Sequence, residues 1–277
     1  MRICIAGRTI DLSFGSAANE RWAQERFAAF RTRGAVDLTL QVVVASMPMR
    51  RVVPGTLAAR RHGITAIVGR YFAGTMDERT GVLLLGTLPM IAPFLRVLVS
   101  LDLLESGGML LHASGVRAGR GAWVFPGRSG AGKSTLARRF PRADLLSDEV
   151  VAVRLHRGRA EACGTPFPGE LGVCGRPGWL PLLGFAFLRG RRTPRLLPLS
   201  HPDSVRRLLA TTLGGWAHER DVRRLWKAAT RLVSVAPCAD FGFSESESRR
   251  SVLSRLAAWR RPPSRGTRRS PRRRAAR

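Results

Sequence analysis

A glycine-rich segment near the middle of the chain limits the choice of folds more than any other feature. It follows the apolar run 122–125 and has the spacing GxxxxGK[ST], which is typical of loops that bind phosphate. We call it the glycine-rich segment, and its members are Gly127, Arg128, Ser129, Gly130, Ala131, Gly132, Lys133, Ser134 and Thr135. Such a loop joins the end of a strand to the start of a helix, so the segment predicts an α/β fold.

The residue types in this segment predict binding of ATP and Mg²⁺. Glycines allow positive φ angles, so that backbone N–H groups can surround phosphate oxygens. We expect Lys133 to reach the β and γ phosphates and the Ser134 hydroxyl to ligate Mg²⁺, with Thr135 in the first helical turn. Lys133 is one of only two lysines in a chain with forty-five arginines. The composition therefore keeps a lysine at the position where the pattern requires one.

The charge is extreme, with a formal net value of +28. Nine arginines and three prolines, without any acid, lie between residues 260 and 277, so we predict a disordered basic tail over 261–277. Subtracting those nine charges from +28 leaves +19 on residues 1–259, which should also attract anions. The chain has one tyrosine and no run of alternating aromatic and basic residues. This pattern favours a solvated surface over a nucleic-acid interface.

The remaining composition favours a cytoplasmic enzyme. The longest apolar stretch, residues 82–104, contains Pro89, Pro93, Arg96 and Asp102, so it does not read as a membrane span. The apolar run at the start is too short for a signal peptide. The four cysteines lack CxxC spacing, which disfavours a zinc site or a disulfide framework. A homo-oligomer is compatible with this reading.

Periodicity predicts three regions along the chain. Residues 1–105 form an N-terminal α+β region of unknown role, 106–260 a catalytic domain, and 261–277 the tail. The predicted helices are 17–31, 92–106 ended by Gly107 and Gly108, 203–213, 219–234 and 246–259. The predicted strands are a pair within 1–15, then 36–45, 64–72, 82–85, an antiparallel hairpin of 109–116 and 122–125, two short strands within 145–153, and 235–243. Residues 164–170 are a predicted loop.

Four features occur in a fixed order: His112 in a strand, the hairpin, the glycine-rich segment, and the adjacent acids Asp148 and Glu149. With this order the chain resembles the catalytic domain of HPr kinase/phosphorylase and its HPr-kinase-like relatives. The core of that family is similar to that of ATP-dependent phosphoenolpyruvate carboxykinase. The resemblance covers residues 109–175 well and residues 176–260 in general character.

The resemblance implies a mixed-sheet P-loop kinase core and an activity. The expected reaction is ATP-dependent, Mg²⁺-requiring transfer of a phosphoryl group to a serine hydroxyl of a protein or peptide. It implies that Asp148 activates the acceptor hydroxyl, that Glu149 helps to hold the metal and that His112 lies near the phosphates. Glu170 corresponds to a later acidic loop, which makes it a further metal ligand.

The residues considered by themselves leave simpler roles open. Asp148 could cap a backbone N–H in a turn, and Glu149 could be an exposed turn acid. His112 could be a core histidine, and Glu170 a solvated loop acid.

Two other functions stay open as well. A P-loop ATPase would use residues 145–149 as its acidic strand, although the spacing and the lack of an LSGGQ-like signature weaken that reading. A non-catalytic nucleotide-sensing protein would keep the loop and lose transfer. Thr135 stands where the family usually has glutamate, and Leu171-Gly172-Val173 follows Glu170 in place of the family's arginine and glycine signature. Both departures permit the sensor, and the second leaves phosphorylase activity open.

Overall fold

The computed structural model describes residues 1–45, 56–191, 194–214 and 219–259. Their architecture is mixed α/β, with two mixed sheets and six α-helices. The predicted basic tail, 261–277, lies outside the described residues.

The first sheet has seven strands in the order β1-β2-β3-β7-β6-β5-β4. The strands are β1 (Arg2–Ile5), β2 (Arg8–Phe14), β3 (Leu38–Val44), β4 (Leu57–Arg61), β5 (Ile64–Gly69), β6 (Phe72–Met76) and β7 (Thr80–Leu85), and helix α1 is Ala17–Arg26. Buried and exposed residues alternate along the strands, which sets the face that each strand turns to the core. In β3, for example, Leu38, Leu40 and Val42 are buried. One face of this sheet therefore contributes to the core.

Helix α2 (Ile91–Glu105) covers that core face. Ten of its fifteen residues are buried, because the helix packs on the first sheet and also on the second. Its end is a Schellman motif, in which Gly108 N–H donates to the Leu103 carbonyl and Gly107 N–H to that of Leu104. Gly107 has φ +77°, which confirms the predicted termination at the glycine pair.

The second sheet has nine strands and four helices. The strands are β8 (Met109–Ala118), β9 (Gly121–Pro126), β10 (Leu145–Ser147), β11 (Val150–His156), β12 (Arg159–Gly164), β13 (Trp179–Arg191), β14 (Arg195–Pro198), β15 (Thr212–Leu213) and β16 (Cys238–Phe243). The helices are α3 (Lys133–Ala137), α4 (His201–Leu209), α5 (Glu219–Val235) and α6 (Arg249–Ala258). Strand β13 runs parallel to β9 and β16, and the other pairings are antiparallel.

Strand β8 changes its partners at His112 and Ala113. Up to His112 it pairs with β11 on one side and β15 on the other, and from Ala113 onward it pairs with β9 and β10. Two gaps between neighbouring strands therefore open beside His112. The glycine-rich segment leaves β9 at one gap, and residues 148 and 149 fill the other.

The largest core cluster joins the two sheets. Besides residues of the first sheet and α2, it contains Leu110, Val150, Ala152, Cys163 and Phe167 from the second sheet and its loops. The N-terminal region is thus continuous with the rest of the folded chain through buried side chains.

Several sequence predictions need correction. Residues 64–72 are not one strand, because the chain turns after Gly69 to form the β5–β6 hairpin. Helix α1 ends at Arg26, and α4 ends at Leu209, where the hydroxyls of Thr211 and Thr212 bond back to the Leu208 carbonyl. Strands β4, β12, β13 and β14 were not predicted, and β15 lies where the helix 203–213 was predicted. In β13, Pro181 and Gly184 weaken the local strand signal, and pairing with β12, β9 and β16 overrides it.

Candidate functional site

The glycine-rich segment forms a tight loop between β9 and α3, as its sequence predicts. Gly130 and Gly132 have φ values of +78° and +97°, in the region that favours glycine. A Cβ atom on Gly127 would lie 2.9 Å from the Ala131 Cβ, so the backbone there is closely folded. Arg128 and Ser129 are exposed at the tip of the loop.

Lys133 is buried at the start of α3, with 5% of its surface exposed. Its Nζ donates to the Arg128 carbonyl at 3.1 Å, across the loop. Burial lowers the pKa of Lys133, while the nearby carboxylates of Glu149 and Glu170 act to raise it. The ammonium group therefore donates to the loop backbone and lies within electrostatic range of two acids. Ser134 and Thr135 follow in the first turn of α3, both half-buried.

His112 and Glu149 form a direct pair, with 2.8 Å between Nε2 and Oε1. Burial lowers the pKa of His112, Lys133 lowers it further, and Glu149 opposes this effect. The β8 junction fixes the pair, since His112 N–H donates to the Thr211 carbonyl and Gly127 N–H donates to the His112 carbonyl. The Glu149 carbonyl accepts from Ala113 N–H.

Asp148 lies beside this pair but is fully buried. Its two oxygens accept backbone hydrogen bonds from Gly169 at 3.0 Å and from Leu171 at 2.8 Å. A Cβ on Gly169 would lie 2.8 Å from the Glu149 Cβ, so the loop 165–175 closes tightly over the acidic pair. This geometry matches the capping role that the sequence left open, and Asp148 holds the loop.

Glu170 is exposed on this loop, between the two amides that Asp148 binds. Its carboxylate acts to raise the pKa of Lys133, so it lies within electrostatic range of that lysine. The structure therefore gathers His112, Lys133, Glu149 and Glu170 around one point, with Asp148 behind them. No group of three or more His, Cys, Asp or Glu in the described part of the chain forms a metal cluster by itself.

Arg96 of α2 is a member of the site that sequence reasoning missed. Burial lowers its pKa and Glu149 acts to raise it, while Arg96 in turn acts on His112. The available signal was a charged residue inside an otherwise apolar helix, which is costly unless the charge is paired. The N-terminal region thus supplies one charge to the site.

A cavity of about 410 Å³ opens beside the start of the glycine-rich segment. Apolar walls come from Pro126, Phe187 and Leu188, and polar groups come from Arg206 and Arg207 of α4. Arg207 is fixed by Asp240, with 2.9 Å between Nη1 and Oδ1. A volume and lining of this kind suit part of an organic ligand.

In the described ranges, no helix is both long and apolar enough to cross a membrane. No protein-family model matches the chain, and a search of curated proteins finds no similar sequence.

Proposed function

We propose that this protein is an ATP-dependent, Mg²⁺-requiring kinase that phosphorylates a serine hydroxyl of a protein or peptide. The observation that carries this proposal is the buried Lys133 ammonium, which faces Glu149 and Glu170 beside a loop with two positive-φ glycines. The order of His112, hairpin, glycine-rich segment and acidic pair supports an HPr-kinase-like core of the P-loop type.

Lys133 would bind the β and γ phosphates of ATP together with the loop amides. In the ligand-free arrangement its Nζ donates to the Arg128 carbonyl, and phosphate oxygens would replace that weaker acceptor. The 410 Å³ cavity beside Gly127 and Arg128 offers room for the nucleoside.

The donor set fits Mg²⁺ bound together with a phosphorylated ligand. Mg²⁺ usually takes one or two carboxylates and completes its octahedron with substrate phosphates and water. Ser134, Glu149 and Glu170 provide a hydroxyl and two carboxylates of this type. When bound, the ion supplies positive charge that neutralises the phosphate oxygens.

The protein's acids have separate roles in this proposal. Asp148 is the proposed base, as the resemblance implies, and accepting a proton requires the segment 169–171 to release one of its oxygens. Glu149 is partly exposed and already paired to His112, and its carboxylate acts to raise the pKa of Lys133. Arg96 balances the negative charge from the side of α2.

The burial of Asp148 favours one second candidate, a nucleotide-sensing protein without transfer. If Asp148 only anchors the loop 165–175, ATP would bind and close that loop without a base for the acceptor. A P-loop ATPase has no comparable support from the geometry.

Incubation with γ-labelled ATP, Mg²⁺ and a panel of serine-containing polypeptides tests the proposal. Label on serine supports the kinase, and release of phosphate alone indicates an ATPase. Tight binding of ATP with neither reaction indicates the sensor. Failure to bind ATP at millimolar concentration would remove all three functions.

A further inference from the structure

A second cavity lies away from the glycine-rich segment. It has a volume of about 760 Å³ and lies between α2 and the first sheet, lined by strands β2, β3, β5, β6 and β7 and the β4 residue Arg60. We call it the α2 cleft. A volume of this size exceeds the need of one side chain and suits a ligand of several residues.

The charge in the α2 cleft is opposite to that of the rest of the molecule. Five of the chain's nineteen acids line it, against three of its arginines, so its formal charge is −2 in a protein of +28. The acids are Asp37, Asp77, Glu78, Asp102 and Glu105, and the arginines are Arg8, Arg60 and Arg79. The lining therefore carries the charge that pairs with a cation, whereas the chain as a whole carries the charge that pairs with anions.

The polar groups at the base of the cleft are incompletely paired. Arg8 Nε and Asp102 Oδ2 face each other at 3.6 Å, and both are buried without a hydrogen bond in the described structure. Burial raises the pKa of Asp102 even though Arg8 and Arg60 oppose that effect. The other Asp102 oxygen is paired, since Arg60 Nη2 donates to Oδ1 at 3.3 Å, so the unsatisfied atoms are Arg8 Nε and Asp102 Oδ2 alone.

Glu78 and Glu105 stand at the rim. The Glu78 carboxylate has neither a hydrogen bond nor an ion pair within the described residues, although its backbone carbonyl accepts from Arg8. Glu105 pairs with Arg60 and, at 3.7 Å, with Arg224, and its side chain is 42% exposed. Both acids can contact a ligand without any change in the core.

Helix α2 connects this cleft to the candidate site. Arg96 acts on Glu149 and His112, and Asp102 and Glu105 follow it by six and nine residues. At 1.5 Å per residue, these positions lie roughly 9 and 14 Å further along the helix axis. Glu105 follows Arg96 by about two and a half turns, so it lies on the opposite face of the helix.

We propose that the α2 cleft binds a basic segment of the acceptor polypeptide, whose arginine or lysine side chains pair with the cleft carboxylates. That the ligand is the phosphoryl acceptor rests on the proposed kinase function, whereas the preference for a basic polypeptide rests on the cleft alone. The positive charge of the whole protein disfavours random attachment of such a segment, so binding at the cleft is selective.

The test is a binding titration without ATP. The probe is a hexapeptide of alternating glycine and arginine that carries an uncharged fluorophore, read by fluorescence anisotropy. Its control replaces each arginine by citrulline, which is neutral and nearly isosteric. We expect the arginine peptide to bind at least about ten-fold more tightly than the citrulline peptide. Equal affinities for the two peptides would overturn the proposal.

Matched double variants locate the binding. Glu78→Gln with Glu105→Gln removes two cleft charges, while Glu25→Gln with Glu219→Gln removes two exposed acids elsewhere. We expect the first variant to lose about ten-fold in affinity for the arginine peptide and the second to retain it. Melting temperatures verify that both are folded. Equal losses of affinity in the two double variants would overturn the cleft assignment. Displacement of the arginine peptide by spermidine at the same concentration would overturn the proposal of a polypeptide ligand.

A separate ATP titration on the same samples distinguishes the two proposals. Selective peptide binding without ATP binding would keep the cleft and remove the kinase. Phosphoryl transfer without peptide selectivity would keep the kinase and remove the cleft.

Discussion

At the scale of single residues, the surroundings of Lys133 are the most informative. A lysine is seldom buried without a partner, and this one has a backbone carbonyl at 3.1 Å and two nearby carboxylates. A compact ammonium can exchange one oxygen partner for another, whereas a planar guanidinium needs a different geometry. The chain's other lysine, Lys227, is exposed on α5 and serves as an internal control.

Replacing Lys133 should therefore abolish ATP binding. We expect Lys133→Ala to lower the affinity for ATP at least about 100-fold. Lys133→Arg should also bind ATP poorly, because arginine cannot place the same point charge. Isothermal titration with ATP and Mg²⁺ measures both. Lys227→Ala should bind normally, and near-normal affinity in Lys133→Ala would refute the assignment of the glycine-rich segment.

Substitutions of the two adjacent acids should distinguish anchoring of the loop 165–175 from contact with phosphate and metal. Asp148→Asn leaves one acceptor oxygen for the two amides of Gly169 and Leu171, so we expect a loss of about 1–3 kcal/mol in the free energy of unfolding. If Asp148 is also the base, transfer per folded molecule falls by about 100-fold while ATP still binds. Urea denaturation and labelled-ATP assays measure the two effects.

Glu149→Gln is the matched comparison. Its carboxylate is partly exposed, so we expect a small change in stability and a higher Mg²⁺ requirement. An unchanged transfer rate in well-folded Asp148→Asn would remove Asp148 from the mechanism and leave it as the loop anchor.

The His112 environment predicts a pH dependence of stability. Its pKa lies below the ordinary 6.5 because burial and Lys133 disfavour the charged form. On acidification the unfolded chain takes up the proton first, so His112 contributes stability above pH 6.5 that is lost as the pH falls through its folded pKa. Urea midpoints at several pH values should show a smaller acid-dependent loss in His112→Gln. His156→Gln, at an exposed position, should behave as wild type.

At the scale of elements, the partner change in β8 creates the site. A strand that kept the same neighbours throughout would leave no gap for the glycine-rich segment or for Asp148 and Glu149. The junction is held by backbone hydrogen bonds of His112, so its position is set by strand pairing and the histidine side chain is free to contact Glu149.

The turn into α3 predicts that alanine substitutions at Gly130 and Gly132 have different effects on ATP affinity. At Gly132, φ is +97° and a Cβ would lie 3.2 Å from the Phe243 ring; at Gly130, φ is +78° and a Cβ meets nothing within 4 Å. We expect backbone strain of about 1–2 kcal/mol in both alanine variants, with an additional shift of α3 only in Gly132→Ala. ATP affinity should fall about ten-fold more in Gly132→Ala than in Gly130→Ala, as titration would show. Equal affinities would mean that the ring contact is irrelevant to binding.

At the scale of the whole molecule, one buried cluster crosses from the first sheet to the second. Its members from β8, β11 and β12 share the cluster with α2 and the first sheet, so the two sheets bury part of their apolar surface in a common core. Arg96 and the α2 cleft both depend on this arrangement, since α2 supplies Arg96 to the site and three lining residues to the cleft.

Leu110 tests the continuity of this core. It is fully buried in the cluster, so Leu110→Ala should lower the free energy of unfolding by about 2–5 kcal/mol. Leu57, which is 58% exposed on β4, should tolerate alanine with a change below about 0.5 kcal/mol. Calorimetry should show a single transition that moves as a whole in Leu110→Ala. Two transitions, of which only one moves, would contradict the shared core.

Local patterns in the sequence were sufficient for the elements around the site. The hairpin 109–125, the end of α2 at its glycine pair and the loop before α3 depend on near neighbours and on glycine conformations, which are encoded locally. The same locality explains why Lys133 could be named from spacing, whereas Glu149 was named because the family resemblance implies it. Their roles stay predictions that only binding and transfer measurements can test.

Tertiary structure alone decided the rest, because it depends on contacts between residues far apart in sequence. Strand β13 forms despite Pro181 and Gly184 since three strands supply its hydrogen bonds. Asp148 accepts hydrogen bonds from backbone amides more than twenty residues later in the chain. Arg96, from the N-terminal region, interacts electrostatically with Glu149. The α2 cleft gathers acids from three separate places in the chain. No periodicity records such juxtapositions, which arise only when the two sheets close on α2.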